Sequence, residues 1–293
     1  MPIRALTLLV EIHSDVNNIK VQEVSSSKDD AFIPTGRPTT TTTKNARSVI
    51  DCVRELLKKL IRLWPWPLTV NERYDRQTKS IIKKVCQPNS ICIDVGCYKG
   101  EILEWMIASA PHAKHIAFEP IPDQYQFLVR QFNDNADVYP YALGNTNHQT
   151  TFQHVVSNPT YSGLRQRQYK GEENIREIKV EVRRLDDVIP STIPVRLIKI
   201  DVEGGELDVL KGAEQMLRTQ KPYLVFEHGL GGADKYGTGP EDIYRLLVDD
   251  HHYRICLMHE FLNGKKTGFA LNEFEEQFLK KLNCYFIAVP EMN

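Results

Sequence analysis

Hydrophobic and polar positions follow two periods along most of this chain. From residue 71 onward, short apolar runs are followed by segments whose apolar residues recur every three or four positions, the spacing of one helix face. The predicted strands cover 90–96, 114–119, 137–142, 195–201, 222–227 and 252–258, and the predicted helices cover 72–86, 100–110, 121–134, 205–218, 240–250 and 271–282. Two further short strands, TTFQHVV and IKVEVRR, are predicted in the polar stretch after residue 142. Strands that alternate with helices predict an α/β, doubly wound fold with a mostly parallel sheet. The last strand, CYFIAVP, is predicted to insert antiparallel.

The chain before residue 71 has a different pattern. Residues 1–44 include SSSKDD and five consecutive threonines, and such polar low-complexity sequence predicts a flexible extension. Residues 45–64 have apolar residues at helical spacing with basic residues between them, and WPWP ends the pattern. Residues 45–70 are therefore predicted to form an amphipathic helix and a Pro/Trp linker ahead of a domain at 71–293. The helix either packs on that domain or makes weak contact with a membrane surface through 45–66.

The composition narrows the function classes. The 37 basic and 38 acidic residues leave a formal charge of -1, so there is no overall basic field and no nucleic-acid partner is predicted. The six cysteines form no C-x-x-C pair, which argues against a zinc site and a disulfide scaffold. No apolar run reaches the ~20 residues that span a bilayer. The predicted location is the cytoplasm, with peripheral membrane attachment as the alternative.

The first candidate site is DVGCYKGEIL, at residues 94–103. Ligands of open α/β sheets bind beyond the carboxyl ends of the strands, where Asp94 stands. Gly96 and Gly100 allow a tight turn and a close helix, whose amides are expected to face an anionic group. The G-x-x-x-G spacing lacks the third glycine that a nicotinamide dinucleotide requires.

Two further strand ends fit an adenosine-type ligand. Glu119 follows the next strand, 25 residues after Asp94, and a carboxylate there can accept hydrogen bonds from ribose hydroxyls. The alternative is that Glu119 only caps the helix at 121–134, but Pro120 and Asp123 already supply start signals for that helix. Ala142 and Leu143 lie near the third strand end, where they would flank an adenine ring or simply pack in the core.

The fourth strand end, LIKIDVEGGELDVLKGA at 197–213, carries Asp201, Glu203 and Glu206 around a glycine pair. A helix dipole stabilises each nearby carboxylate by only about 0.3–1 kcal/mol, which is less than the cost of desolvating three of them. A cationic ligand would compensate them better, either S-adenosylmethionine with its sulfonium and ammonium groups or a hydrated metal ion. The fifth strand end, YLVFEH, adds Glu227 and His228.

These blocks, together with VRRLDDVI at 182–189, resemble the FkbM-type S-adenosylmethionine-dependent methyltransferases over about residues 74–290. The resemblance implies the seven-stranded, Rossmann-like class I methyltransferase fold and O-methylation of a sugar, polyketide or other small metabolite. The sequence departs from the family at Cys97-Tyr98, where Ala-Asn is usual. The residues assigned to the cofactor are Asp94, Gly96, Cys97, Gly100, Glu119, Pro120, Ala142, Leu143 and Asp201.

Methylation of a hydroxyl requires a general base or a metal ion within hydrogen-bond reach of it. The candidate bases are His228 first, then Glu203 and Glu227. A divalent ion such as Mg²⁺, bridged by Asp201 and Glu227, is a further hypothesis, because carboxylates offer the hard oxygen ligands that it prefers.

The substrate is predicted to lie under residues 157–176, a basic and aromatic segment. Tyr161, Arg165 and Arg167 are the candidate contacts with a sugar-like or anionic hydroxylated substrate, since arginine binds anions and aromatic rings stack on sugars. The alternative is a solvated loop.

Two other function classes stay open at this point. A nicotinamide-dependent oxidoreductase is disfavoured by the missing third glycine. A non-catalytic, membrane-associated adaptor with a decayed cofactor site is disfavoured because Gly96, Gly100, Glu119 and Asp201 are all present.

Overall fold

A computed structural model of the chain describes residues 69–166, 169 and 171–291. By its contacts, the chain is divided between Arg73 and Tyr74, and Tyr74–Asn293 forms a compact unit. The predicted flexible extension and the helix at 45–64 lie outside the described residues, and the predicted domain boundaries stay predictions. None of the helices in the described ranges combines the length and the hydropathy needed to cross a membrane.

Ten strands form two sheets in this part of the chain. They are β1 Ile91–Val95, β2 His115–Phe118, β3 Ala136–Tyr139, β4 Tyr141–Leu143, β5 His148–Val155, β6 Ile175–Arg183, β7 Val195–Ile200, β8 Tyr223–Glu227, β9 Tyr253–Leu257 and β10 Tyr285–Pro290. The larger sheet has seven strands in the order β3-β2-β1-β7-β8-β10-β9. Its strands pair in parallel except for β10, which is antiparallel to both β8 and β9. The predicted doubly wound α/β fold with an antiparallel last strand is confirmed.

Ten α-helices accompany the strands within the described residues. They are α1 Val70–Val85, α2 Glu101–Ser109, α3 Pro122–Phe132, α4 Leu185–Val188, α5 Glu206–Lys211, α6 Glu214–Thr219, α7 Ala233–Tyr236, α8 Pro240–Tyr244, α9 Met258–Leu262 and α10 Leu271–Leu279. A 3₁₀ turn covers Pro159–Tyr161, and a π-helical stretch, Arg245–Asp250, continues α8. Alternate strand residues point to opposite faces of the large sheet, so Leu197 and Ile198 of β7 join two different hydrophobic clusters. Both faces of the sheet are therefore buried, as a parallel sheet requires.

The predicted elements differ from the structure at two chain breaks. Pro140 divides the predicted strand 137–142 into β3 and β4, and β4 joins β5 and β6 in a separate three-stranded sheet. The predicted helix 205–218 is interrupted at Gly212, where an added Cβ would lie 2.1 Å from the carbonyl oxygen of Gly144. Both breaks come from backbone constraints that hydrophobic periodicity does not report.

Candidate functional site

Four acidic residues stand at the carboxyl ends of neighbouring strands of the large sheet. Asp94 is the penultimate residue of β1 and Glu119 follows β2, while Asp201 follows β7 and Glu227 ends β8. The strand order reverses between β1 and β7, which places a crevice at this edge. The structure therefore brings together the acidic residues that the sequence predicts at one site.

A buried lysine lies between two of these acids. Lys199 Nζ is 3.2 Å from Asp201 Oδ2 and 3.8 Å from Asp94 Oδ1. The hydroxyl of Tyr285 donates a 2.6 Å hydrogen bond to Asp201 Oδ2. The protein thus supplies a cation of its own to the acids. Sequence reasoning missed Lys199, although its place two residues before Asp201 put both side chains on one strand face.

The two acids beside Lys199 differ in their protonation. Burial raises the pKa of Asp94 to about 6, even though the Lys199 charge opposes this shift. Neither oxygen of Asp94 accepts a hydrogen bond of ordinary geometry within the described part of the chain. Burial also disfavours the charged form of Asp201, but Lys199 and Tyr285 outweigh it and hold the pKa of Asp201 below its usual range. Asp201 is therefore the fixed negative charge, and Asp94 is the buried acid with unused acceptor capacity.

The glycine turn after β1, residues 96–100, packs directly against the start of the acidic loop, residues 201–206. Gly96 has φ +78° and Gly100 has φ +81°, a region that favours glycine. A Cβ on Gly96 would lie 2.0 Å from the carbonyl oxygen of Asp201, and one on Gly100 would lie 2.5 Å from the Phe132 ring. Both glycines are thus required by the packing of the protein itself.

Four amides of this turn donate hydrogen bonds within the protein, whereas the expected contact with an anionic ligand also involves the amides at the start of α2. The amides of Gly96 and Cys97 donate to the carbonyl oxygen of Phe118, and that of Gly100 donates to the carbonyl of Cys97. The amide of Tyr98, between them, donates to a carboxylate oxygen of Glu119. The contribution of the turn to a ligand would therefore come from its shape and from neighbouring side chains.

Glu119 accepts backbone hydrogen bonds with both carboxylate oxygens. Its partners are the amides of Tyr98 and Ile121, each at 2.9 Å. Burial raises the pKa of Glu119 to about 7. Each oxygen keeps a second lone pair, so the predicted ribose contact and the structural role are compatible. Pro120 is half-buried beside it.

Ala142 and Leu143 lie in β4 of the smaller sheet and are buried. Ala142 joins a cluster with Phe152 and Val182, and Leu143 joins the main core. The contact of these residues with an adenine ring stays a prediction.

The glycine pair of the acidic loop allows a second close approach. Gly204 has φ +112°, and an added Cβ would lie 2.4 Å from the carbonyl carbon of Gly232. The carboxylate of Glu206 accepts hydrogen bonds from the amides of Val202 and Gly204, at 3.2 and 3.0 Å. Glu206 therefore holds the backbone of the loop that carries Glu203.

Glu206 should make the stability of the protein depend on pH. Burial raises the pKa of Glu206 from its ordinary value of 4.5 to about 7. The folded state thus keeps a proton that the unfolded chain releases, so the stabilisation is fully present below about pH 4.5 and is lost as the pH rises to about 7. Glu206→Gln keeps an oxygen for both amides and removes the titration. We expect thermal unfolding midpoints of the variant to change less than wild type between about pH 5 and 8.

The contrasting variant is Glu206→Ala, which loses both hydrogen bonds. It should be less stable than Glu206→Gln at every pH, by about 1–3 kcal/mol, because two buried amides lose their acceptor. An unchanged pH dependence in Glu206→Gln would show that Glu206 does not carry the raised pKa.

Asp201 also belongs to a group of three half-buried carboxylates. One carboxylate oxygen each from Asp201, Glu203 and Glu227 lies within 4.8 Å of the other two. The hypothesis of a metal ion bridged by Asp201 and Glu227 is thereby extended by Glu203. Glu203 has φ +61°, a conformation that few side chains adopt.

His228 lies apart from this group, in the aromatic core. Its side chain is 1% exposed, and its ring stacks on Phe278 and Phe274 with centroids 4.9 and 6.0 Å away. Burial lowers the pKa of His228 to about 4. The side chain follows Phe226 on its strand face, because residues two apart point the same way. This position does not favour the role of general base that the sequence predicts for His228.

The predicted substrate loop passes beside Glu203. A Cβ on Gly163 would lie 3.6 Å from the Cβ of Glu203. Two residues on, the amide of Arg165 donates to the Tyr236 hydroxyl at 3.2 Å, and its guanidinium donates to the carbonyl of Lys235 at 3.0 Å. The loop is therefore fixed to α7 at this point.

The other two candidate substrate contacts are less well placed by the structure. Tyr161 is 38% exposed and stacks on Tyr169 with ring centroids 6.3 Å apart. Arg167 lies outside the described residues.

Known proteins match this chain across the same region. The methyltransferase FkbM domain family matches residues 94–255. The AMB antimetabolite synthetase AmbE of Pseudomonas aeruginosa is 27% identical over 216 residues, which cover 61% of this chain and 10% of the synthetase. Methyltransferase sdnD of Sordaria araneosa is 30% identical over 162 residues, 43% of this chain and 61% of that protein. This chain thus spans less than two thirds of either relative.

Among solved structures, the crystal structure of methyltransferase FkbM from Methylobacillus flagellatus is similar to this chain. It has 17% sequence identity and a TM-score of 0.44, over 70% of this chain and 45% of that chain.

Proposed function

The chain belongs to the methyltransferase FkbM domain family, and on this premise we propose that it is an S-adenosylmethionine-dependent O-methyltransferase of a small hydroxylated metabolite. The observation that carries the proposal is the row of acidic strand ends at the switch point of the sheet, where the buried Asp94 accepts no hydrogen bond of ordinary geometry from the described residues. A cationic adenosyl ligand would suit such an edge.

The residues present fit S-adenosylmethionine. Asp94 and Asp201 would attract its positive groups, and Glu119 would accept hydrogen bonds from its ribose through the remaining lone pairs. When bound, this cofactor supplies a methyl group made reactive by a sulfonium. Gly96 keeps the first turn and the Asp201 loop in contact, so the two acids share one wall.

The chain's own residues would handle the proton of the acceptor hydroxyl. Glu203 is the favoured base in this proposal, because it belongs to the carboxylate group and lies beside the loop at Gly163. Glu227 is the second candidate. Lys199 and Tyr285 keep Asp201 charged, and the attached loop at Arg165 would limit the access of water. Mg²⁺ at Asp201, Glu203 and Glu227 stays a hypothesis.

The cofactor is tested by calorimetric titration of the full chain with S-adenosylmethionine and with S-adenosylhomocysteine. Glu119→Ala should weaken binding by about tenfold or more, since it removes the ribose acceptor and releases the Tyr98 amide. Glu104→Ala, an exposed glutamate of α2, should bind as wild type. Titrations in Mg²⁺ and in EDTA test the metal hypothesis.

Binding of NAD with no binding of either adenosyl compound would favour the oxidoreductase alternative and contradict the proposal. The acceptor class is tested separately, by incubating the protein with hydroxylated metabolites and isotope-labelled S-adenosylmethionine. Label found only on nitrogen or carbon atoms of products would overturn O-methylation but not methyl transfer.

A further inference from the structure

Two cysteine sulfurs are in contact near the start of β1. The row of acidic strand ends, the acidic edge, lies at the other end of this strand. Cys86 follows α1 and Cys92 is the second residue of β1, and their Sγ atoms are 3.4 Å apart. Of the five cysteines in the described ranges, these two form the pair whose sulfurs are in contact. The methyltransferase proposal makes no use of either residue.

The chain between them is a tight turn that fixes this contact. The amide of Gln87 donates to the Ser90 hydroxyl at 2.8 Å, and the amide of Ser90 donates to the carbonyl of Gln87 at 2.9 Å. The backbone amide of Cys92 is anchored by His115 Nδ1 at 3.2 Å. A disulfide has a sulfur–sulfur bond of about 2.05 Å, so only a small closure separates the contact from a covalent bond.

The two thiols have different surroundings. Cys86 is half-buried, whereas Cys92 is buried. The hydrogen bond with Cys92 lowers the pKa of Cys86, and the Arg196 charge adds to this. The same hydrogen bond and burial raise the pKa of Cys92. A half-buried thiol of lowered pKa in contact with a buried, protonated thiol is the arrangement of a peroxide-reactive cysteine and its resolving partner.

We propose that Cys86 and Cys92 form a reversible disulfide when the protein meets a hydroperoxide. The Cys86 thiolate attacks the peroxide oxygen, which breaks the O–O bond, leaves a sulfenic acid on Cys86 and releases hydroxide or alkoxide. Cys92 then attacks that sulfur, and the sulfenic oxygen leaves as water with the Cys92 proton. The peroxide gains two electrons, and the two thiols lose them. An added dithiol reduces the Cys86–Cys92 disulfide by thiol–disulfide exchange and is itself oxidised.

The sequence offers a direct measurement. Trypsin cuts after Lys84 and Lys99, so one peptide, Val85–Lys99, contains Cys86, Cys92 and Cys97. The reduced full-length protein is treated with a small excess of hydrogen peroxide, alkylated and digested. The expected peptide carries one alkyl group, on Cys97. Its mass is two hydrogens below that of the same singly alkylated peptide with Cys86 and Cys92 as free thiols. Dithiothreitol before alkylation should restore three alkyl groups.

Two variants distinguish the pair from general oxidation. Cys86→Ser should lose the crosslinked peptide entirely, and Cys284→Ser, which changes another half-buried cysteine, should form it as wild type does. Stable sulfinic acid on Cys86 with no crosslink in the wild type would overturn the proposal, as would a crosslink that joins Cys97. The readout is the mass of a peptide and not turnover, so its failure would leave the methyltransferase proposal standing.

Discussion

Replacing Gly96 with alanine is expected to lower the free energy of unfolding by about 3 kcal/mol or more. An alanine at φ +78° carries the strain of the left-handed region, and its Cβ would stand 2.0 Å from the carbonyl oxygen of Asp201. Because that oxygen belongs to the backbone, it cannot move without shifting the acidic loop. Chemical denaturation of wild type and variant at 25 °C measures the difference.

A second glycine distinguishes the cost of the left-handed backbone conformation from the cost of the steric clash. Gly264 has φ +87°, and an added Cβ there would meet nothing within 4 Å. Gly264→Ala should therefore lose only about 1–2 kcal/mol, the cost of the left-handed conformation. Equal losses in the two variants would mean that the contact of the glycine turn with Asp201 does not constrain the fold.

Much of the fold follows from the sequence because its strands are buried on both faces. Such strands appear as short apolar runs, and helices appear between them with a different period. The α/β class and the antiparallel β10 could therefore be predicted. The two strands of the polar stretch, β5 and β6, could be predicted as well. Their pairing with β4 in a second sheet could not, because β4 begins directly after Pro140, which divides one predicted strand into two.

The acidic edge of the site could be predicted for a related reason. Parallel strands place their carboxyl ends together, so residues that follow different strands become neighbours without any knowledge of side-chain packing. Asp94, Glu119, Asp201 and Glu227 were found in this way. Glu119 also holds the glycine turn by accepting a hydrogen bond from the amide of Tyr98. This contact joins two strand ends, and hydrophobic patterning within either segment does not predict it.

The orientation of single side chains was harder to predict. His228 follows Glu227 directly, and closeness in sequence suggested a shared site, but strand alternation places His228 on the aromatic core. Lys199 lies inside the mostly apolar strand β7, and hydrophobic patterning alone assigns it no role. A lysine within a buried strand has few ways to avoid the cost of burial except a carboxylate partner, and the aspartate two residues later was that signal.

Lys199→Met is the variant with the largest expected effect on the acidic edge. The lysine is buried and raised in pKa by Asp201 and Asp94 against the effect of burial, so it is charged in the folded protein. Removing one partner of a buried ion pair leaves the other charge uncompensated, at a cost of about 3–5 kcal/mol. We expect a loss of this size in the free energy of unfolding at about pH 8. Lys266→Met, which changes an exposed lysine, should stay within about 0.5 kcal/mol of wild type.

The pH dependence and a double variant identify the charges responsible. With Lys199 present, burial already raises the pKa of Asp94 to about 6. Without the lysine this pKa should rise further, so the folded state binds a proton more tightly and the loss should shrink as the pH falls towards about 5. Asp94→Asn in the Lys199→Met background removes that charge at every pH and should recover part of the stability at pH 8, because a neutral pair no longer leaves a buried carboxylate without its cation. The opposite result is a loss in the free energy of unfolding that is equal at about pH 8 and about pH 5 and is not reduced by Asp94→Asn. It would mean that Lys199 stabilises the acidic edge by packing alone and does not compensate the charge of Asp94.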